Sequence, residues 1–293
     1  MMIFLDATNR QLNGTTEGDE FVDFHQQEYE NDYFQYMLAL ENKYFQEEIE
    51  PEMRPNFDDR IRKLSVRWIS RIANNKYFFS PETISTAVAI FDRVLKLQRI
   101  HEYCGIIYAA ASLSLAVKLE EIALLGIEGL MELAIPPAGP NEIMQAEQHV
   151  ILLTNGRLII PTPFQFLIFF INKLQVVPRG FIYFTHYLLE LSMNYFEYPE
   201  QKPSFLAAAS IVLARLCIMP YDRPWPFLFE TFGMSLSQIR KELIFLHSCF
   251  RKGRYDENYY IFTKYSSASF HYVSRTYRVP NIRNLLNPPL YPP

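Results

Sequence analysis

The stretch from Tyr108 to Glu121, YAAASLSLAVKLEE, does most to limit what this chain can fold into. It has no glycine or proline, small residues at Ala109, Ala110, Ala111, Ser112 and Ala116, and no charge before Lys118. A helix without bulk or charge on any face is expected to be buried nearly all round, with neighbours packed closely on it. It ends in three charges, Lys118, Glu120 and Glu121, at the tip of a core element. The pattern returns 98 residues later as Ala207-Ala-Ala-Ser-Ile-Val-Leu-Ala-Arg-Leu216. Two central small-residue helices predict two copies of one helical domain.

Composition fits that expectation. Of the 293 residues, 49% are hydrophobic and 15% aromatic, ample for one or two packed cores, while 10 glycines are few for a loop-rich fold. The net charge of −4 gives no general attraction to a phosphate backbone, so no nucleic acid is expected. Cys104, Cys217 and Cys249 are odd in number and far apart, as buried thiols of a reducing compartment would be. The opening Met1–Leu5 is too short for a secretory signal, and the apolar run Phe164–Ile171 is too short for a membrane span. A soluble intracellular protein, nuclear or cytoplasmic or both, with no membrane partner, is the expectation.

Along the chain, residues 1–20 read as a disordered arm. Residues 21–50 read as an N-terminal helix carrying Phe24, Tyr29, Tyr33, Tyr36, Met37, Leu40 and Tyr44 at helical spacing. Pro51 and Pro55 break the chain before a first repeat, 51–159. Its first helix, from about Phe57 to Asn74, gathers Ile61, Leu64, Trp68, Ile69 and Ile72 on one face, with Arg60, Lys63, Arg67 and Arg71 in a stripe beside it. Such stripes are usually solvated faces. Ser80-Pro81-Glu82 is a helix start, and Asn141 opens another helix that Thr154-Asn-Gly ends. The second repeat, 160–275, begins at Thr162-Pro163, continues from about Arg179 and Pro203, and has a cap at Ser235 or Ser237. An extended tail, 276–293, closes the chain. The expected class is all-α: two five-helix repeats behind one helix, with no convincing strand.

The residues of common catalytic chemistry are missing. His247 and Cys249 have no second ligand pair, so no metal is expected. There is no G-x-G-x-x-G, phosphate-binding loop or G-x-S-x-G, and Glu47-Glu48 and Asp58-Asp59 lie in polar segments. The expectation is a non-enzyme with no cofactor.

Specific residues carry the reading further. Ile61-Arg-Lys-Leu-Ser-Val-Arg-Trp68 resembles M-R-x-I-L-x-D-W, the signature that opens a cyclin box. Phe91-Asp-Arg-Val-Leu95 resembles the family's Asp-Arg-Phe-Leu segment, and Ala116-Val-Lys-Leu-Glu-Glu121 its A-x-K-(F/Y)-E-E. Glu147, Pro161-Thr162, Gln165-Phe-Leu167, Pro203-Ser204, Trp225-Pro226, Lys264-Tyr265, His271 and Val273-Ser274 follow in order, resembling A- and B-type, mitotic-like cyclins over about residues 25–275. The resemblance implies two tandem cyclin folds and a regulatory subunit that binds and activates a cyclin-dependent Ser/Thr kinase in the cell cycle. It assigns kinase contacts to Lys118 and Glu147, to the neighbouring Glu120 and Glu121, and to Tyr29, Tyr33 and Tyr36 of the N-terminal helix.

Departures accompany the match. The family's Phe in the turn after the fifth helix is Gly156 here. The substrate-docking groove, assigned to Ile61, Leu64, Ser65, Trp68, Arg71 and Ile106, has Ser65 for a leucine, Arg71 for an acid and Ile106 for a glutamine. Substrates or inhibitors are therefore expected to meet an altered groove that holds basic R-x-L peptides poorly. No K-E-N or R-x-x-L destruction signal precedes the first box. The competing readings are a cyclin-fold transcription factor and a scaffold that no longer activates a kinase.

Overall fold

The computed structural model describes residues 20–46, 59–122, 126, 129, 132, 139–174, 177–218, 233–256 and 258–280. Among these the helices are α1 (Glu20–Gln46), α2 (Asp59–Ile72), α3 (Pro81–Leu97), α4 (Gly105–Glu120), α5 (Pro140–Leu153), α6 (Pro163–Lys173), α7 (Arg179–Met193), α8 (Pro203–Ile218), α9 (Leu236–Lys252), α10 (Tyr259–Lys264) and α11 (Val273–Thr276), with no strand. The expected arm before Glu20, most of residues 123–138, all of residues 219–232 with Trp225-Pro226, and the tail beyond Pro280 lie outside the described residues.

The two small-residue helices are the centres of two matching bundles. α4 packs on α2, α3 and α5, and α8 packs on α6, α7 and α9 in the same order. Ala109, Ala110, Ala111, Ala116, Ala207, Ala208, Ala209 and Ala214 are all buried, so short side chains let three neighbours close on each helix. α4 begins at Gly105, three residues before the expected Tyr108. A Cβ on Gly105 would stand 2.9 Å from Ile61 Cγ2 and 3.2 Å from Ser65 Oγ, so the crossing of α2 and α4 tolerates little more than a hydrogen there. By length and composition Glu102–Glu120 is apolar enough to cross a membrane; in the fold it is the packed centre of the first repeat.

Local signals set the helix starts. Ser80 Oγ accepts from Thr83 N at 3.2 Å with Pro81 in the first turn. Thr162 N donates to Gln165 Oε1 at 3.0 Å, and Ser235 N to Gln238 Oε1 at 2.7 Å. α5 starts at Pro140, one residue before the expected Asn141, with Gly139 N donating to Glu142 Oε2 at 2.8 Å.

Buried polar contacts join the repeats. Arg62 of α2 donates to Asp92 of α3 through Nε (2.7 Å) and Nη2 (2.9 Å), then to the carbonyls of Tyr195 (2.9 Å) and Met193 (3.1 Å) at the end of α7. Beside it, Glu190 of α7 accepts from Asn74 (2.6 Å), Lys264 (2.6 Å) and Tyr265 (2.8 Å), and Lys264 also reaches Asn74 Oδ1. α1 lies on the second repeat. Phe34 stacks on Phe169 at 3.9 Å, and Glu41, 1% exposed, accepts from Ser204 N (2.6 Å) and Oγ (2.7 Å) at the start of α8. Burial pushes the Glu41 carboxyl up, with the Ser204 hydrogen bonds pulling the other way. The tail is anchored as far as described: Arg254 Nη2 donates to the carbonyls of Ser274 and Tyr277, and His247 Nε2 meets the Pro280 carbonyl at 2.9 Å.

Candidate functional site

A half-open ion pair stands where α4 ends beside α5. Lys118, in the last turn of α4, donates through Nζ to Glu147 Oε2 on α5 at 2.7 Å. The Lys118 side chain is 40% exposed and that of Glu147 9%. Glu147 Oε1 is buried and accepts no hydrogen bond among the described residues. A buried acceptor in that state is destabilising unless a donor arrives from outside.

The same two helix ends expose apolar side chains: Leu119 and Ile122 after Lys118, and Met144, Ile151 and Leu152 on α5. At about 100° per residue, 144, 147 and 151 share one face of α5. Sequence reading took Glu147 from this helix and none of its exposed apolar positions. The signal it passed over was Met, Ile and Leu at outward positions, where an amphipathic helix is expected to be polar.

Glu120 and Glu121 are turned onto α3. Glu120 Oε1 accepts from Thr86 Oγ1 at 2.9 Å; burial raises its pKa, with the Thr86 bond opposing. Glu121 Oε1 accepts from Ser80 N at 3.0 Å and from Thr83 Oγ1. The two carboxylates therefore fasten the end of α4 to the first two turns of α3 and fix where Lys118 stands. Tyr36 is 51% exposed, and Tyr33 is half-buried against the core. Tyr29 lies on α1 with its side chain outside the described residues. α1 rests on α6 and α8, but its last turns reach the first repeat: Tyr44 OH donates to the Arg157 carbonyl just beyond α5.

The residues assigned to a groove divide. Ile61 and Ser65 are 4% and 1% exposed, sealed beneath Gly105, and offer no surface. Leu64 is 45% exposed, Trp68 and Ile106 are half-buried, and Arg71 is exposed with its guanidinium 5.3 Å from the Tyr260 ring.

Two domain descriptions match the sequence: Cyclin, N-terminal domain, over residues 32–158, and Cyclin, C-terminal domain, over 161–278. The chain belongs to the cyclin family. Among its relatives, Cyclin-A1-4 of Oryza sativa subsp. japonica is 26% identical over 78% of this chain and 66% of its own length. Cyclin-B2-1 of Arabidopsis thaliana is 23% identical over 75% of this chain and 51% of its own. The chain thus spans about half to two thirds of the length of these relatives. In fold it is similar to a viral cyclin from herpesvirus saimiri (TM-score 0.62, 13% identity, 75% of this chain and 95% of that one). It is also similar to a chain of the yeast RNA Pol II CTD kinase CTDK-1 complex (TM-score 0.51, 10% identity, 69% of this chain and 67% of that one). It is a divergent cyclin, all-α, with two tandem cyclin domains.

Gly156 acquires a physical reason. It stands at φ +71 just after α5, where its N–H closes on the Ile151 carbonyl at 2.8 Å. That is the left-handed helix cap glycine favours, and an added Cβ would meet nothing within 4 Å. The backbone has a reason for glycine here, at the position where the family carries Phe.

Proposed function

We propose that this cyclin is the non-catalytic regulatory subunit of a cyclin-dependent Ser/Thr kinase, acting in cell-cycle control inside the cell, in the nucleus, the cytoplasm or both. The carrying observation is the Lys118–Glu147 pair with its unanswered Glu147 Oε1, on two helix ends that also expose Leu119, Ile122, Met144, Ile151 and Leu152. Exposed apolar side chains rimmed by polar groups fit a protein partner, and a half-satisfied buried carboxylate gives that partner a register. A kinase needs its own Lys–Glu pair assembled before it transfers phosphate. A rigid face pressed on the helix bearing that Glu supplies the missing step. In this reading Tyr36 extends the contact along α1, while Glu120 and Glu121 hold the docking end of α4 in place.

Lys118→Ala/Glu147→Ala tests this in a pull-down followed by a kinase assay. The double variant leaves unpaired the kinase groups that these two side chains would meet, at on the order of 2–5 kcal/mol of docking energy, so activation should disappear while circular dichroism stays that of the parent. Full activation by the double variant would sink the reading. A scaffold that binds a kinase without activating it is the second reading, favoured by Gly156 in place of an apolar contact; capture with no gain in activity would select it.

A further inference from the structure

A half-open cavity lies where α1 and the two repeats meet. Its wall includes Phe45 of α1, Ala89 and Lys96 of α3, Ile160 and Pro161 between the repeats, and Gln201 just before α8. The cavity holds about 80 Å³, room for about five to eight water-sized groups. Most of the wall is apolar, and most of its polar groups are answered from within the chain. Asp92 takes two bonds from Arg62, Glu41 takes two from Ser204 with Lys202 at 3.6 Å, and the Arg93 guanidinium lies 5.1 Å from the Tyr44 ring.

Two groups are left over. Gln201 is 5% exposed; its Nε2 donates to the Glu197 carbonyl at 2.6 Å, and its buried Oε1 accepts nothing among the described residues. A flipped amide would set oxygen against oxygen at Glu197, so the orphan is the acceptor. Lys96 donates no hydrogen bond among the described residues; burial lowers its pKa, with Asp92 opposing. A half-buried ammonium that bonds no anion and a buried acceptor without a donor both cost free energy until a ligand meets them.

We propose that this cavity binds a small organic carboxylate that carries a hydrogen-bond donor beside a branched apolar body. The carboxylate answers Lys96, the donor answers Gln201 Oε1, and the apolar body covers Phe45, Ile160 and Pro161. A bare phosphate would leave that apolar wall to water. An acidic side chain of a protein partner could meet Lys96 but brings no donor of its own for Gln201. The cavity shares no residue with the Lys118–Glu147 pair, so the proposal does not depend on the kinase reading.

The test is calorimetric titration of the full chain with 2-hydroxy-3-methylbutyrate, up to about 20 mM, beside thermal melts. Saturable binding and a raised melting temperature are expected, because the ligand bridges α1 and both repeats. Lys96→Met should weaken binding about tenfold or more. The methyl ester should not bind, and 3-methylbutyrate, which lacks the hydroxyl, should bind about threefold to tenfold more weakly. In Gln201→Met the two acids should bind alike, a ratio that a loss of stability alone does not change. Ala89→Leu, which fills the cavity, should abolish binding while the melting temperature stays at or above the parent's. No saturable binding, equal binding of the ester, or full affinity in Lys96→Met overturns the proposal. So does equal affinity for inorganic phosphate, or tighter binding of a glutamate-bearing peptide.

Discussion

Arg62–Asp92 and Lys118–Glu147 are ion pairs of one length, 2.7 Å, yet they do opposite work. In the first, both side chains are nearly inaccessible (1% and 8%), and the guanidinium goes on to meet two carbonyls of the other repeat. In the second, the lysine is 40% exposed and one oxygen of Glu147 is unanswered. Burial with complete satisfaction makes a seam; burial of one partner with an acceptor left over leaves a group that a partner could answer. Charge and distance alone do not separate the two.

The seam should give the largest effect. Arg62→Ala strands a buried carboxylate and two carbonyls, so we expect a loss of about 3–5 kcal/mol in denaturant unfolding. Replacing Arg62 and Asp92 together by Met and Leu should recover most of it, because an apolar pair leaves no uncompensated charge. If Arg62→Ala costs under about 1 kcal/mol, the seam is no tighter than a surface pair and the contrast fails.

Acid should act next, through the same region. His186 of α7 lies against Phe164 and near Lys264 and Glu190; burial, then Lys264, lower its pKa to about 4, with Glu190 opposing. The unfolded chain takes up the proton near pH 6.5, so the stability from a neutral His186 is complete above that value and is lost as the pH falls toward about 4. The loss is on the order of 3 kcal/mol. Glu41, Glu82, Glu120 and Glu242 have raised carboxyl pKa values and contribute with the opposite sign. Only the difference between the parent and His186→Phe isolates the ring. Midpoints that fall in parallel between pH 7 and pH 4 would show that His186 is not responsible.

The contrast between seam and rim also marks where sequence reading stops. Ser80-Pro81 and Thr162-Pro163 announce helix starts because a cap is decided within four residues, and α4 and α8 stand out because burial on all sides leaves no polar face to read. The need for glycine at position 105 is set by Ile61 and Ser65 of another helix, and no local signal carries that. Ser65 was legible as a missing leucine but not as a sealed residue. Glu121 was legible as a charge at a helix tip, while the Ser80 N–H it accepts is 41 positions away. Lys118 and Glu147 were found through family resemblance; the outward Met144, Ile151 and Leu152 required coordinates.

Gly156→Phe sharpens the rim side. The left-handed backbone at φ +71 should cost a side chain about 1–2 kcal/mol of stability, while its Cβ meets nothing within 4 Å. If the docking face runs from α4 through the end of α5, the new ring gives it an apolar contact and kinase affinity should rise even as the melting temperature falls. Affinity falling along with stability would place that turn outside the interface.

Lys118→Ala should be the smallest perturbation of the fold, and that is what makes it decisive for the comparison. Its ammonium is partly solvated, so removing it forfeits an interaction worth about 0.2–1 kcal/mol. Trimming the half-exposed lysine opens Glu147 Oε2 to water on the side the lysine covered, so denaturant unfolding should shift by little more than that. Docking is another matter. Once a partner covers Met144, Ile151 and Leu152, water can no longer reach Glu147, and without Lys118 its charge is buried with one donor fewer. The cost that was absent in the free chain then appears in the complex, on the order of 2–5 kcal/mol. Calorimetric titration of a kinase partner against parent and variant, beside their unfolding curves, measures both quantities. Equal losses in stability and in affinity would make Lys118–Glu147 a second seam, and the open face would have to be sought elsewhere on the molecule.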